Sequence, residues 1–256
     1  MVIPIIPEME PRPEALQGRE TTMLEPLPTP ERALVVFAHP DDAEFGCAGT
    51  VARWAREGTH IVYVLATSGD KGTGDRTLTP ERLAHIREEE QAEAARVLGV
   101  REVVFLRYPD GGLEDTAEFR GKVVREIRRV RPDVVLTSEP FPRRRFSHRD
   151  HRIAGLVAMD ACFPYCRDHL YYPEHLREGL ETHKVGAVLF WGADEPDVFS
   201  DITDTLEVKL KALACHKSQF SDFNRVAERV KEWAKLNGQQ AEVPFAEAFR
   251  KIEFWR

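Results

Sequence analysis

The chain has 256 residues, enough for one large domain with a full hydrophobic core and barely enough for two. Its 42% hydrophobic and 31% charged residues describe an ordinary globular protein, and no 18-residue apolar run is present to span a membrane. A formal net charge of -7 argues against a general grip on nucleic acid through phosphate neutralisation.

Residues 1–30 hold seven of the 17 prolines and read as an extended Pro-rich arm, with the domain running over 31–256. The start lacks the basic n-region and unbroken apolar h-region of a secretory signal, so a cytoplasmic location is expected. Beyond the arm, apolar β-branched runs alternate with helical patterns: "ALVVFA" then "TVARWAREG", "HIVYVLAT" then "TPERLAHIREEEQAEAARVLG", "EVVFLRY" then "TAEFRGKVVREIRRV", "DVVLTSE" then "HRIAGLVAMDACF". Thr79-Pro80 marks a helix start and Gly99 a helix stop. Runs apolar throughout, rather than alternating, suit strands covered on both faces. The expected fold is therefore α/β, a Rossmann-like open and mostly parallel sheet with helices on both faces. "VGAVLFW" and "VFSDIT" then read as further strands, and "DTLEVKLKALACHKSQ" and "FNRVAERVKEWAKL" as helices.

In such sheets ligands bind beyond the carboxyl ends of the strands. "HPDD" follows the first strand, "GDKGTGD" the second, "PDGG" the third and "SEPFPRRRFSHRDHR" the fourth, so four unusual loops converge on one rim. His39 and Asp42 are three apart in a turn, and a single cation could receive both side chains. His148 and His151, again three apart, bracket Asp150 at a helix start. Two histidines and one carboxylate around a metal leave a position open for water, as catalytic zinc sites do. Cys47, Cys162, Cys166 and Cys215 show no CxxC spacing and read as buried small hydrophobes. "GDKGTGD" is neither a P-loop nor a dinucleotide fingerprint, which leaves it as a hydrogen-bonding substrate loop. Taken alone, the histidines outside these clusters read as surface or core residues, and Arg143, Arg144 and Arg145 as a solvated loop, with an anchor for an anionic substrate group or an oligomer contact as the alternatives.

"AHPDD", "IREEEQAEAARVLGV", "FLRYPDGGL", "SHRDH", "KLKALACHKSQF" and "EAFR", in that order, resemble the PIG-L/LmbE family of zinc-dependent N-acetylglucosaminyl deacetylases, most of all its diacetylchitobiose deacetylase branch. The resemblance implies one Zn2+ per chain held by His39, Asp42 and His151, with Asp41 as general base. It implies His148 as the group that stabilises the oxyanion and protonates the leaving amine, with Asp150 raising its pKa. Arg87 and Asp110 would contact the sugar, and the chain would form a homo-oligomer, a trimer or hexamer, acting on a small amino-sugar. Ala48 stands where the family usually has a glycine, and Lys71 where many members place a different loop. Two other readings of the same residues stay open: deacetylation of a thiol-sugar precursor, and a non-haem Fe(II) oxidoreductase, whose facial triad uses the same ligand types. A binding module with a structural metal is a third, although structural zinc sites normally close with four protein ligands. Glu44 is expected at a helix N-terminus, where negative charge is favoured.

Overall fold

The computed structural model describes residues 27–144 and 146–254. β1 (Arg32–Phe37) lies inside a seven-stranded sheet and pairs in parallel with β2 (His60–Thr67) on one side and β4 (Val134–Ser138) on the other. β3 (Glu102–Tyr108) extends the sheet beyond β2, and β5 (Ala187–Trp191) beyond β4, both parallel. Two further strands close the far edge. β7 (Ala246–Glu253) runs antiparallel to both β5 and β6 (Val198–Asp201), giving the order β3-β2-β1-β4-β5-β7-β6.

β1 shows why its sequence is apolar from Ala33 to Phe37. Leu34 and Val36 enter one core with α4 (Ala117–Val130) and α5 (Arg149–Asp160), while Ala33, Val35 and Phe37 enter a second core with α2 (Ala48–Arg56), α3 (Pro80–Leu98) and α7 (Leu206–Leu213). Each of the larger side chains, Leu34, Val35, Val36 and Phe37, gains about 1.5–3 kcal/mol from burial, and a strand covered on both sides collects it on both faces. The helix boundaries follow the local chemistry. Thr79 caps α3 by accepting the Arg82 N–H, Pro80 takes the first turn, and Gly99 ends the helix at φ 81°.

β7 was not expected from the sequence, because it carries charges through the interior of a sheet. Two of these charges have their own partners. Glu247 accepts from Gly49 N, Thr50 N and Lys209 Nζ at 2.9, 2.8 and 2.6 Å, and Arg250 forms a two-pronged pair with Glu139. Glu247 thereby supplies the anion at the start of α2 that the sequence around Cys47 lacks. α1 (Asp42–Gly46), α6 (Pro173–Arg177) and α8 (Phe223–Gln240) complete the helices, joined by a π-helical turn at Ala161–Tyr165. α7 stops at Leu213, earlier than the expected helical run, which leaves His216 in the following turn.

Most of the Pro-rich arm, residues 1–26, lies outside the described residues. Its last part packs on the domain: Leu27 is buried, its carbonyl accepts from Arg53, and the Pro30 carbonyl accepts from Thr59. Among the described residues no helix is long and apolar enough to cross a membrane.

Candidate active site

The strand order reverses between β1 and β4, and the loops leaving those two strands face each other across the crevice this creates. After β1, His39 and Pro40 lead into Asp41, which sits at φ 94° before α1. Asp is among the few residues that tolerate this region, at a cost of order 1–3 kcal/mol. After β4, the chain returns at His148, the N-cap of α5, whose Nδ1 accepts the Asp150 N–H at 3.2 Å. α5 can come this close because residue 155 is glycine: a Cβ there would lie 2.2 Å from the Ser138 carbonyl. Ser138 Oγ also donates to the His151 carbonyl at 2.7 Å, fixing that turn of helix to the end of β4.

Three donor atoms meet in the crevice. His39 Nδ1 lies 3.1 Å from His151 Nε2 and 3.5 Å from an Asp42 carboxylate oxygen, and His151 Nε2 lies 3.0 Å from the other. Ligands at the corners of a tetrahedron around a zinc ion, with bonds near 2.0–2.1 Å, would be about 3.4 Å apart. The opposite nitrogen of His39 explains why Nδ1 is free to coordinate. Its Nε2 faces Asp110 Oδ1 at 3.1 Å and Asp150 Oδ2 at 3.3 Å, so the ring proton belongs there. This carboxylate–histidine arrangement orients the ligands of metal sites.

Two other groupings of acids and imidazoles also draw together, His39 with His148 and His151, and His39 with Asp110 and Asp150. In the set with Asp42 the donor atoms stand 3.0–3.5 Å apart, close to the tetrahedral spacing. In the other two, His148 uses Nδ1 as its helix cap, and Asp150 accepts from the Gly111 N–H at 2.6 Å.

The electrostatics describe a cluster short of positive charge. Burial alone would lower the His39 pKa, but Asp110, Asp150 and Asp42 outweigh it and raise it well above the usual imidazole value. Burial opposes ionisation of Asp42, yet His151 and His39 hold its carboxyl well below the ordinary range. Without a cation, the cluster keeps a proton where a metal would supply charge. Asp41 behaves differently. Burial, reinforced by Asp42, pushes its carboxyl from 3.8 up to about 6 against the opposing pull of Arg87, His216 and His39. It is therefore a proton acceptor with an affinity close to neutral pH, next to the donor triad but outside it.

Several expectations need correction. Asp150 does not pair with the His148 ring: as the second residue of α5 it turns inward, its carboxylate taken by Gly111 N, Leu113 N at 3.4 Å and His39. The His148 pKa is lowered by burial, His39 and His151, and the pull of Asp150 does not reverse this. A capping Nδ1 and a lowered pKa describe a neutral imidazole with its proton on Nε2, not a resident cation. Arg87, expected against the sugar, has only 6% of its side chain exposed and donates to Pro40 O at 2.8 Å and Gly69 O at 3.2 Å, with Asp41 Oδ2 at 3.6 Å. Gly69 has no Cβ to obstruct it, since one would lie 2.3 Å from Nη1. Asp110, also expected at the sugar, is committed to His39. Glu44 does stand in the first turn of α1, as expected, but it is fully buried and its partners are side chains: Gln91 Nε2 at 3.0 Å and His216 Nε2 at 3.2 Å.

The loops around the crevice are stitched together. Lys71 Nζ donates to the Asp110 carbonyl at 2.8 Å, and Asp70 accepts the Asp110 N–H at 2.8 Å, joining "GDKGTGD" to "PDGG". Arg143 and Arg144 lend their backbone N–H groups to Asp194, and Arg145 lies outside the described residues. Nothing in the residue pattern singles out Gln91, a lone amide within a charged helix. His216 was visible only as part of "KLKALACHKSQF".

The PIG-L profile, described as GlcNAc-PI de-N-acetylase, matches residues 34–162. The chain is 35% identical to the diacetylchitobiose deacetylase of Thermococcus kodakarensis over 198 residues, 77% of this chain and 73% of that one. The chain belongs to the PIG-L family. The structure superimposes on the N,N'-diacetylchitobiose deacetylase of Pyrococcus horikoshii with a TM-score of 0.82 at 31% identity, covering 88% of this chain and 84% of the other. A second solved structure, the 4-carboxy-2-hydroxymuconate hydratase GalB of Pseudomonas putida, gives a TM-score of 0.75 at 24% identity over 88% and 97% of the two chains. That likeness is one of fold alone. It shows that this scaffold also carries other chemistry, so the site has to decide the function.

Proposed function

We propose that this PIG-L protein is a zinc-dependent deacetylase that hydrolyses the acetamide of an N-acetylglucosamine unit, in chitobiose, in free GlcNAc or in a GlcNAc conjugate. The observation that carries the reading is a three-donor cation cradle with an ionisable acid, Asp41, beside it and not among its donors. Relatives named for deacetylation of chitobiose support the sugar amide as substrate.

His39, Asp42 and His151 would hold the ion, which when bound supplies Lewis acidity toward an amide carbonyl and lowers the pKa of adjacent water to about 7. Asp41 accepts the proton of the attacking water, a role its position near pH 6 suits. As the carbonyl carbon becomes tetrahedral, negative charge gathers on its oxygen. Neutral His148 stabilises that oxygen by donating from Nε2–H, since its Nδ1 is already used by the helix cap. The departing nitrogen is a poor leaving group until protonated. Asp41, now carrying the water's proton at an affinity near ambient pH, is the better acid, in place of the protonated His148 expected from the family resemblance. Asp110 and Asp150 hold the His39 ring, and each of the two groups that meet reacting atoms contributes about 10²–10⁴-fold.

A homo-oligomer of three or six chains in the cytoplasm completes the proposal, and light scattering of the purified protein reads its size. The decisive experiment incubates zinc-loaded enzyme with GlcNAc, diacetylchitobiose, and GlcNAc linked to malate or inositol, and quantifies acetate and free amine. Release from at least one is expected, and the preferred member separates chitobiose from thiol-sugar precursors. Bound iron with oxygen-dependent turnover and no acetate would replace this reading with an oxidoreductase.

A further inference from the structure

Arg87 and Gln91 stand one turn apart on the buried side of α3 and meet one peptide from opposite ends. Arg87 Nη2 donates to Pro40 O at 2.8 Å, and Gln91 Oε1 accepts the Asp41 N–H at 3.2 Å. That C=O and N–H belong to the single planar unit joining Pro40 to Asp41, so holding both ends fixes its rotation. On the far side of Asp41 the chain is tied by Phe45 N donating to Asp41 O at 3.0 Å.

The Gln91 amide has only one workable orientation. Its nitrogen faces Glu44 Oε1 at 3.0 Å and its oxygen faces the Asp41 N–H; a flip would set donor against donor and oxygen against carboxylate. Glu44 is in turn fixed by His216 Nε2 at 3.2 Å from its other oxygen. His216 Nδ1 has no hydrogen-bond partner among the described residues, so the ring is held through Nε2 toward Glu44. Glu44, Gln91 and His216 are all fully buried, so none can touch a substrate. The bonds converge on the Glu44 carboxylate, which accepts from both His216 and Gln91, and the one visible endpoint of the chain is the backbone of Asp41.

We propose that His216, Glu44 and Gln91 form a positioning relay which, with Arg87, clamps the Pro40–Asp41 peptide and holds Asp41 in its positive-φ conformation for proton transfer. The inference rests on the base role proposed for Asp41. It also joins the turn after α7 to α1, with Glu44 lying 172 residues before His216 in the sequence.

The test has a structural arm and a kinetic arm. Crystal structures of the wild type, Gln91→Leu and His216→Leu read the Asp41 φ and the peptide plane directly. Rotation of that plane is expected in both variants, and an unmoved peptide overturns the relay whatever the substrate is. In acetate release, Gln91→Leu and His216→Leu are expected to lower kcat about 10- to 100-fold with KM nearly unchanged, because displacing a catalytic group by about 1 Å costs this much. His216→Gln, whose amide nitrogen can still donate to Glu44, is expected to recover most of the wild-type kcat and keeps the test open if His216→Leu does not fold. A His216→Gln variant as impaired as His216→Leu, folded and with full metal content, overturns the proposal. A wild type that releases no acetate defeats the deacetylase reading instead, and the crystallographic arm then decides the relay alone.

Discussion

Replacing Asp41 by Asn should abolish turnover and, in the metal-free protein, raise stability in a pH-dependent way. Asn mimics the protonated acid and tolerates the same positive φ. The rise of the Asp41 carboxyl from 3.8 to about 6 corresponds to about 3 kcal/mol of preference for the neutral form in the folded state. Below about pH 3.8 folded and unfolded chains both carry the proton, and the substitution gains nothing. Between there and pH 6 the unfolded chain releases the proton while the folded chain keeps it, so the wild type loses stability as pH rises. Above pH 6 the loss is complete, and the Asn variant should then be more stable by up to about 3 kcal/mol, roughly 6–12 °C in Tm for a chain of this size. Melting curves of both proteins in chelator from pH 4.5 to 8 measure the difference. A gain that is the same at both ends, or a loss at pH 8, would refute the argument that Asp41 is held against its preferred charge.

The same carboxyl sets the acid limb of catalysis: kcat/KM should fall as pH drops through about 6 or lower, the bound cation favouring the ionised form, and a limb above pH 7 would contradict the assignment of Asp41. Asp150→Asn removes an acceptor from His39 Nε2 and should weaken metal binding about 10- to 100-fold in chelator competition. Glu247→Gln leaves Lys209 buried beside a neutral partner and should cost about 3–5 kcal/mol in urea unfolding, whereas a change under 1 kcal/mol would mean the pair is dispensable. Lys71→Ala should loosen the junction with Asp110 and raise KM without altering metal content.

The parallel core of the sheet was legible because burial on both faces leaves long apolar runs in its strands, and β1, apolar from Ala33 to Phe37, is the plainest case. The proposed cation donors stood out for a related reason: histidines and acids clustered at strand ends are not explained by core packing. β7 was hidden because Glu247 and Arg250 read as exposed until their partners on α7 and beyond β4 are known. The orientation of Asp150 was hidden as well. Its spacing from His148 suggested a pair, but His148 Nδ1 is taken by the Asp150 N–H in the helix cap, and the Asp150 carboxylate by Gly111 N and His39. Gln91 carries no sequence signal at all, since its importance lies in which peptide it meets.

The division of the crevice between β1 and β4 has a consequence for folding. His39 and Asp42 come from one end of the domain's central pair of strands, and His151 arrives more than a hundred residues later, so the cradle exists only once the sheet has closed. An ion held there acts as a removable cross-link over that loop, and an ion at a hundred times its dissociation constant would add about 2.7 kcal/mol to the folded state. Metal supply would then govern how long the protein lasts as well as how fast it works.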